Sequence, residues 1–323
     1  MPECRVFLVT GGAGFIGSHI CEWLLRRGDS VRILDNFSSG KRSTVSRLKK
    51  RYPNQVEVFD TDIRDYRSLR RATQNVAAVF HQAAIVSVQK SVEDPLEAVS
   101  VNLEGTAKVF QAAKESGVQK VVFASSTAVY GNSEELPKSE SMSLQPLSPY
   151  AATKEGGEIF GRIFSMLYGL PIISLRYFNV FGPRQDPATE YAAVIPRFIS
   201  RMMAGDRPVI YGDGEQTRDF VYVDDIVRAN LLAAESPVAG IALNIASGQR
   251  YSLNSLVLIL NDVLNLDFQP KYEPARPGEV RHSLADISLA TKTLGYRPEV
   301  SLREGLLRTI AWFREKQNHD HED

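Results

Sequence analysis

The stretch Thr10-Gly11-Gly12-Ala13-Gly14-Phe15-Ile16-Gly17 decides how this chain folds. It lies between a short apolar run, residues 5–10, and an amphipathic helical pattern over 15–27 that Gly28 ends. Glycine is needed where a chain turns tightly or lets another group approach its backbone. Gly11 allows the turn, Gly14 lets the backbone approach a pyrophosphate, and Gly17 lets the helix pack closely on the sheet. Phosphates would then meet the first helical amides, at Phe15 and Ile16, and the positive end of the helix dipole. A glycine-rich turn without a ligand is the alternative, and a second feature weighs against it. Asp35 ends the next β-run, about 20 residues further on, where a carboxylate accepts from the hydroxyls of an adenosine ribose. The same charge repels a 2′-phosphate. The expected cofactor is NAD rather than NADP, with Lys41 and Arg42 close enough to weaken that preference.

Outward from this turn, strand-like runs at 5–10, 30–35, 56–60, 76–82, 120–125 and 172–177 alternate with helical patterns at 15–27, 43–51, 66–73, 95–116 and 150–168. Strands separated by crossover helices predict a doubly wound parallel sheet of the Rossmann type. Beyond Asn179 the texture shortens, broken by Pro183, Pro187, Pro196, Pro208, Gly212 and Gly214. Asp224 is placed to cap a helix through Ala234, and Ser301 with Glu304 forms a capping box before the stripe Leu302, Leu306, Ile310, Phe313. The fold class is therefore α/β: residues 1–178 form the dinucleotide-binding unit with the catalytic residues. Residues 179–317 form mainly a smaller α/β cap, with some segments returning to the first unit, and 318–323 form a frayed tail. Histidines 319 and 321 in that tail read as solvated rather than metal-binding, and no metal site is expected.

Lysine plus arginine and aspartate plus glutamate number 38 each, which removes a global basic field for nucleic acid or an anionic membrane. The two cysteines, Cys4 and Cys21, imply no disulfide framework, and the glycines break the N-terminal apolar run before it is long enough for a signal or a membrane span. A cytoplasmic protein is expected.

Tyr150 and Lys154 stand four residues apart on a predicted helix and so face one way. An ammonium beside a phenol favours the phenolate, which can take a proton from an alcohol while hydride leaves the same carbon. A surface tyrosine–lysine pair is the alternative. Ser125-Ser126-Thr127 follows the fifth strand at its carboxyl end, where a hydroxyl can bridge a substrate alcohol and the phenolate, unless it is an ordinary polar turn.

With these residues in view, the sequence resembles the extended short-chain dehydrogenase/reductases. The resemblance rests on residues 10–17, Asp62-Ile63, His81-Gln82-Ala83-Ala84, Asn102, FASSTAVYG at 123–131, YAATK at 150–154, RYFN at 176–179 and RDF at 218–220. It is strongest to UDP-hexose 4-epimerases, especially those acting on N-acetylated sugars. The resemblance implies Tyr150 as base, Lys154 as its electrostatic partner and Ser126 as hydroxyl relay. It also implies cofactor contacts from Asn36, Ser38, Asp62, Ile63, Gln82, Ala83, Ala84, Asn102, Ser125, Tyr177 and Val180. Substrate contacts are implied for Ser87 and Asn179, for Ala193, Val194 and Tyr211 around the uracil, and for Arg218 and Arg276 on the diphosphate. A surface ion pair is the alternative for each arginine. Relatives that dehydrate or decarboxylate carry an acid just after the relay hydroxyl; Thr127 and Ala128 stand there.

Ser283 aligns with a position that limits the sugar pocket, and its small side chain implies room for a 2-acetamido group, unless it merely caps a turn. The expected reaction interconverts UDP-GlcNAc with UDP-GalNAc and UDP-Glc with UDP-Gal by transient oxidation at C4. A UDP-uronic-acid 4-epimerase with Arg184 and Arg281 meeting the carboxylate, a net NAD(P)-dependent oxidoreductase, and a non-catalytic NAD sensor remain open alternatives. The resemblance also implies a homodimer joined through the helices at 95–116 and 150–168.

Overall fold

The computed structural model describes residues 4–187, 193–275 and 280–320. Strands β1 (Val6–Thr10), β2 (Ser30–Asp35), β3 (Val56–Asp60), β4 (Ala78–His81), β5 (Val121–Ser126) and β6 (Ile172–Tyr177) alternate with helices α1 (Phe15–Arg26), α2 (Arg42–Arg51), α3 (Tyr66–Ala72), α4 (Val88–Glu93), α5 (Pro95–Val99), α6 (Gly105–Glu115) and α7 (Pro149–Tyr168). The second half holds β7 (Asn179–Phe181), α8 (Val194–Met203), β8 (Val209–Tyr211), β9 (Thr217–Arg218), β10 (Phe220–Tyr222), α9 (Val223–Glu235), β11 (Ile241–Ile245), β12 (Tyr251–Ser252), α10 (Leu253–Leu264), β13 (Lys271–Glu273), α11 (Ser288–Leu294) and α12 (Leu302–Asp320).

Seven parallel strands form the main sheet in the order β11-β6-β5-β4-β1-β2-β3. The winding reverses between β1 and β4, which opens a crevice at their carboxyl ends. One face is covered by α1, α2, α9 and α11 through residues such as Ile20, Leu24, Leu48, Ile226 and Leu294. The other is covered by α3, α6 and α7 through Leu69, Val109, Phe110 and Phe164. A separate core of Phe181, Phe198, Met202, Ile210, Leu256, Leu260, Leu306 and Phe313 organises the cap.

The chain passes more than once between the two units. Helices α9 and α11 and strand β11 belong to the sheet layer, and β11 extends the sheet beyond the six predicted strands. The helix expected over 95–116 is three pieces: α5, a wide π-turn over Ser100–Glu104, and α6. The π-turn holds Asn102 in the interior. Helix α9 begins at Val223 with no side-chain cap, so Asp224 lies inside the first turn, where a carboxylate still suits the dipole. Ser301 caps the last helix by accepting from the Glu304 amide at 3.2 Å, whereas the Glu304 carboxylate takes Arg308 at 2.8 Å. That helix continues through Asp320, past the point where fraying was expected.

Helix α7 lies unusually close to the sheet. A Cβ on Gly157 would stand 2.4 Å from the Phe123 ring, and one on Gly161 would stand 3.1 Å from Ile172. Phe123 is fully buried between His81 and Phe110 and has nowhere to retreat. Gly157→Ala should therefore cost about 1–3 kcal/mol by overpacking, read as a lowered thermal midpoint. In combination with Phe123→Leu the two losses should sum to more than the double variant's loss, because the smaller side chain vacates the clash. Strictly additive losses would show that the contact does not exist.

Candidate active site

The glycine turn stands at the crevice. Gly11 has φ +68°, and a Cβ there would lie 2.7 Å from the Ala83 amide nitrogen beyond β4. A Cβ on Gly17 would lie 2.2 Å from the Gly11 carbonyl oxygen, so Gly17 is what lets α1 start against the turn. Gly14 occupies the cap position of α1, and no side chain among the described residues caps its amides. The N-terminus holding Phe15 and Ile16 thus presents backbone donors to an anion.

Asp35 is buried at the end of β2 and accepts from the amides of Ala13 at 3.0 Å and Phe37 at 2.8 Å. Burial raises its carboxyl above the usual range and those two bonds oppose the rise. Lys41 is paired with Asp186 at 2.6 Å; Arg42 is paired with Asp60 at 2.7 Å and stacked on Phe37. Both cations near the ribose end therefore already face carboxylates. Asn36 donates to Asp62 at 2.9 Å, its own carbonyl accepts from the Ser38 amide, and Arg64 holds Asp62 below its usual range. The Ile63 side chain is buried under Gly105.

On the other side of the crevice, Thr10, His81 and Thr106 form a buried chain of hydrogen bonds at 2.7 and 2.9 Å. Burial, then the charge of Lys154, pushes His81 down to about 3, so it stays neutral. The Ala83 amide donates to Thr10, and Ala84 follows it on the same rim. Asn102 bridges Ile85, through both backbone groups, to Thr153 on α7. Its side chain anchors the cofactor-side loop rather than standing free at its surface. Gln82 and Tyr177 converge on Asn230, a residue of α9 that no sequence signal marked. Val180 packs between the sheet core and the cap core. Oxygen-acceptor and amide groups therefore line the crevice from both sides, and the residues present fit a dinucleotide.

Tyr150, Lys154 and Ser126 meet where β5 ends. Tyr150, 9% exposed, has its hydroxyl close enough to Ser126 to interact with it, and the Ser126 Oγ accepts from the Ala128 amide at 3.2 Å. Ser91, unmarked by sequence, accepts from the Tyr150 amide at 3.0 Å. Lys154 donates to the Ala124 carbonyl at 2.8 Å, with its nitrogen 5.8 Å from the centre of the Tyr150 ring. The expected electrostatics are modified here. Burial raises the Tyr150 phenol and the Ser126 bond only opposes that, while burial drags Lys154 down to about 7. The ammonium is committed first to a backbone carbonyl, so desolvation outweighs the pairing read from the helix spacing. Ser125 does not face the crevice alone: its Oγ donates to Glu158 at 2.5 Å.

In the cap, Asn179 donates through its amide and side chain to the Asp219 carbonyl. Asp219 is fully buried and accepts from Ser247 twice and from the amides of Gly248 and Ala285, which ties three cap segments together. Burial lifts its carboxyl to about 6 against those bonds. Arg218 donates to the carbonyls of Thr217 and Arg281. Ala193 and Val194 start α8, and Tyr211 ends β8 with its carbonyl held by Gln216. Ser87 caps α4 by accepting from the Lys90 amide at 3.1 Å, which gives it a local structural role. Arg276 lies outside the described residues. The Ser283 backbone amide donates to Thr217, but its buried hydroxyl has no partner among the described residues, so it caps no turn. Arg184 is tied to Ser18 and Glu22 behind α1, and Arg281 to Asp213 at 2.8 Å.

Comparison with known proteins places these features in a family. The model for the NAD dependent epimerase/dehydratase family matches residues 7–246. A solved UDP-N-acetylglucosamine 4-epimerase from Methanobrevibacter ruminantium, in complex with UDP-N-acetylmuramic acid, is 43% identical, covering 97% of this chain and 99% of its own at TM-score 0.92. The Thermus thermophilus UDP-glucose 4-epimerase, solved with NAD, is 38% identical over 96% and 99% of the chains at TM-score 0.85. A UDP-glucuronate 4-epimerase from Thermodesulfobacterium geofontis is 36% identical over 96% of each chain. The glycine turn, the seven-stranded sheet and these matches agree: the chain belongs to the NAD-dependent epimerase/dehydratase family.

Proposed function

We propose that this chain is an NAD-dependent 4-epimerase of UDP-sugars that accepts the N-acetylated pair, UDP-GlcNAc and UDP-GalNAc, as well as UDP-Glc and UDP-Gal. The observation that carries the reading is Tyr150 beside Ser126 at the mouth of β5, with Lys154 held against the Ala124 carbonyl 5.8 Å from the Tyr150 ring centre. NAD, held by the glycine turn and Asp35, would supply hydride acceptor and donor chemistry at C4. Tyr150 takes the proton of the sugar's 4-hydroxyl, with Ser126 bridging the two oxygens, and holds it while C4 is a ketone. The sugar turns over, the opposite face is reduced, and Tyr150 returns its proton to the new alkoxide. Lys154 supplies positive charge beside the phenolate. Neither Thr127 nor Ala128 carries a carboxyl group to act as the acid for elimination of water, which favours epimerisation over dehydration.

Such a cycle needs a nucleotide held firmly and a sugar held weakly. Arg218 and Asn179, fixed at the β7–β10 junction, are suited to the diphosphate, and Ala193, Val194 and Tyr211 to the uracil. Ser283, 7% exposed with a hydroxyl that has no partner among the described residues, fits a pocket that reserves space and a donor for a 2-acetamido group. A uronate substrate would need a cation for its carboxylate; Arg184 and Arg281 are both held by acidic partners, which favours the N-acetyl reading. We also assign the active form as a homodimer. Helices α5 and α7 expose Leu96 (80%), Val99, Ile163, Met166 (74%) and Leu167 (69%) in a run too apolar for a monomer's surface. The two thiols are free, and no helix among the described residues is long and apolar enough to cross a membrane, in keeping with a cytoplasmic site of action.

Tyr150→Phe should lower kcat about 10²–10⁴-fold with NAD still bound, measured by chromatographic detection of epimers from a panel of UDP-sugars. Full turnover in that variant would remove the base assignment, and sustained net change at 340 nm without epimers would identify an oxidoreductase instead. Ser283→Tyr should abolish turnover of UDP-GlcNAc while sparing UDP-Glc; equal loss of both would show that position 283 does not shape the pocket. Met166→Glu should convert dimer to monomer in light scattering, and an unchanged mass would rule out this face.

A further inference from the structure

Glu158 lies one helical turn beyond Lys154, on the same face of α7. Its carboxylate is almost wholly buried and receives a bidentate guanidinium: Arg176 donates through Nε at 2.9 Å and Nη2 at 2.7 Å. Ser125 Oγ donates to the same Oε1. Arg176 in turn donates to the Tyr130 hydroxyl at 2.8 Å, and Tyr130 to Asn244 on β11 at 2.7 Å. The Asn244 amide then donates to Glu140 at 2.7 Å. A buried ion pair of this kind is costly to desolvate and contributes little net stability compared with an apolar substitute. Its presence beside the catalytic helix face therefore calls for a reason other than stability.

We propose that Glu158, locked in place by Arg176 and Ser125, is a positioning residue whose negative charge keeps Lys154 an ammonium. This inference rests on the reading of Tyr150 as the base. Lys154 sits in a low-dielectric pocket between Phe123, 5.1 Å from its nitrogen, and the Tyr150 ring. The titratable groups around it are Tyr150 and Glu158 on its own helix, His81 from β4 and Arg176 from β6; β5 offers the Ala124 carbonyl and the Ser125 hydroxyl. His81 is neutral, and Arg176 is neutralised by Glu158 itself. Among the described residues Glu158 is thus the countercharge acting on the ammonium, and it opposes the burial that drags Lys154 down. The Arg176 fork and the Ser125 hydroxyl fill the carboxylate's lone pairs and keep it from swinging onto Lys154, where a direct salt bridge would draw the ammonium away from Tyr150.

Removing the charge makes the folded-state proton affinity of Lys154 fall further, so the ammonium is lost at lower pH. The alkaline limb of kcat against pH should move down by roughly one unit in Glu158→Gln, with KM for the sugar nucleotide unchanged, because Glu158 lies behind the strand end. Glu158→Asp, which keeps the charge, should retain the wild-type limb. Should Glu158→Gln fail to fold, Glu158→Gln/Arg176→Met, which removes the buried charges together, is compared with Arg176→Met alone, which keeps the carboxylate; the limb should lie lower in the double variant. A uniform fall in kcat with an unmoved limb, in whichever variant folds, would overturn the positioning role. Tyr150→Phe is measured alongside: an inactive Tyr150→Phe with an unmoved Glu158→Gln limb defeats only this inference, whereas an active Tyr150→Phe defeats the base assignment beneath it.

Discussion

The site depends first on how closely α7 approaches β5. Gly157 and Gly161, one turn apart, leave no side chain between the helix and the sheet, so the Phe123 ring and Ile172 meet helix backbone. That contact brings the tyrosine, the lysine and the glutamate of one helix face to the last residues of β5. There the Ala124 carbonyl, the Ser125 hydroxyl and the Ser126 hydroxyl each find one of them. Displacing the helix by the thickness of a methyl group would lengthen all three contacts at once, and a hydrogen bond at 2.8 Å has little length to give.

Close packing has an electrostatic consequence. A helix face sealed against a sheet has no water, so each ionisable group on it must be matched from the protein. The molecule does this in layers: His81 is kept neutral between two threonines, Glu158 is balanced by Arg176, and Asp219 is saturated by four donors from the cap. Holding the Asp219 carboxylate also fixes its backbone, whose carbonyl accepts from Asn179 and which Arg218 directly precedes in the chain.

Much of this was legible in the sequence because it is local. The glycine turn, Asp35, the six first strands and the four-residue spacing of Tyr150 and Lys154 each follow from neighbouring residues. Contacts that depend on sheet order were not. The β11 strand reads as a short apolar run after Gly240, and only its place beside β6 makes it part of the sheet. Asn230 reaches Gln82 across 148 positions, and nothing near either residue announces the pairing. Asn102 read as a cofactor contact, but the π-turn that turns it inward is decided by its partners on Ile85 and Thr153. Arg184 and Arg281 were legible as cations; that Glu22 and Asp213 occupy them is a tertiary fact. Glu158 had a usable signal, a carboxylate at the next helical turn after the lysine, whose meaning needed Arg176 from another strand.

The inversion between Tyr150 and Lys154 bears on how any pH dependence should be assigned. Burial disfavours both charged forms, so separately the phenol holds its proton and the amine gives its own away. Phenolate and ammonium together are a different case, because each compensates the other's desolvation. Two groups so coupled lose their protons as a pair, and an observed midpoint belongs to neither residue alone. A negative charge at Glu158 biases the pair toward keeping the ammonium, yet it also opposes the phenolate. The geometry resolves that conflict by distance: the carboxylate lies on the far side of Lys154, a full turn further from Tyr150, so it acts more strongly on the amine than on the phenol. The order Tyr150, Lys154, Glu158 along one helix face is therefore functional in itself, with the cation in the middle.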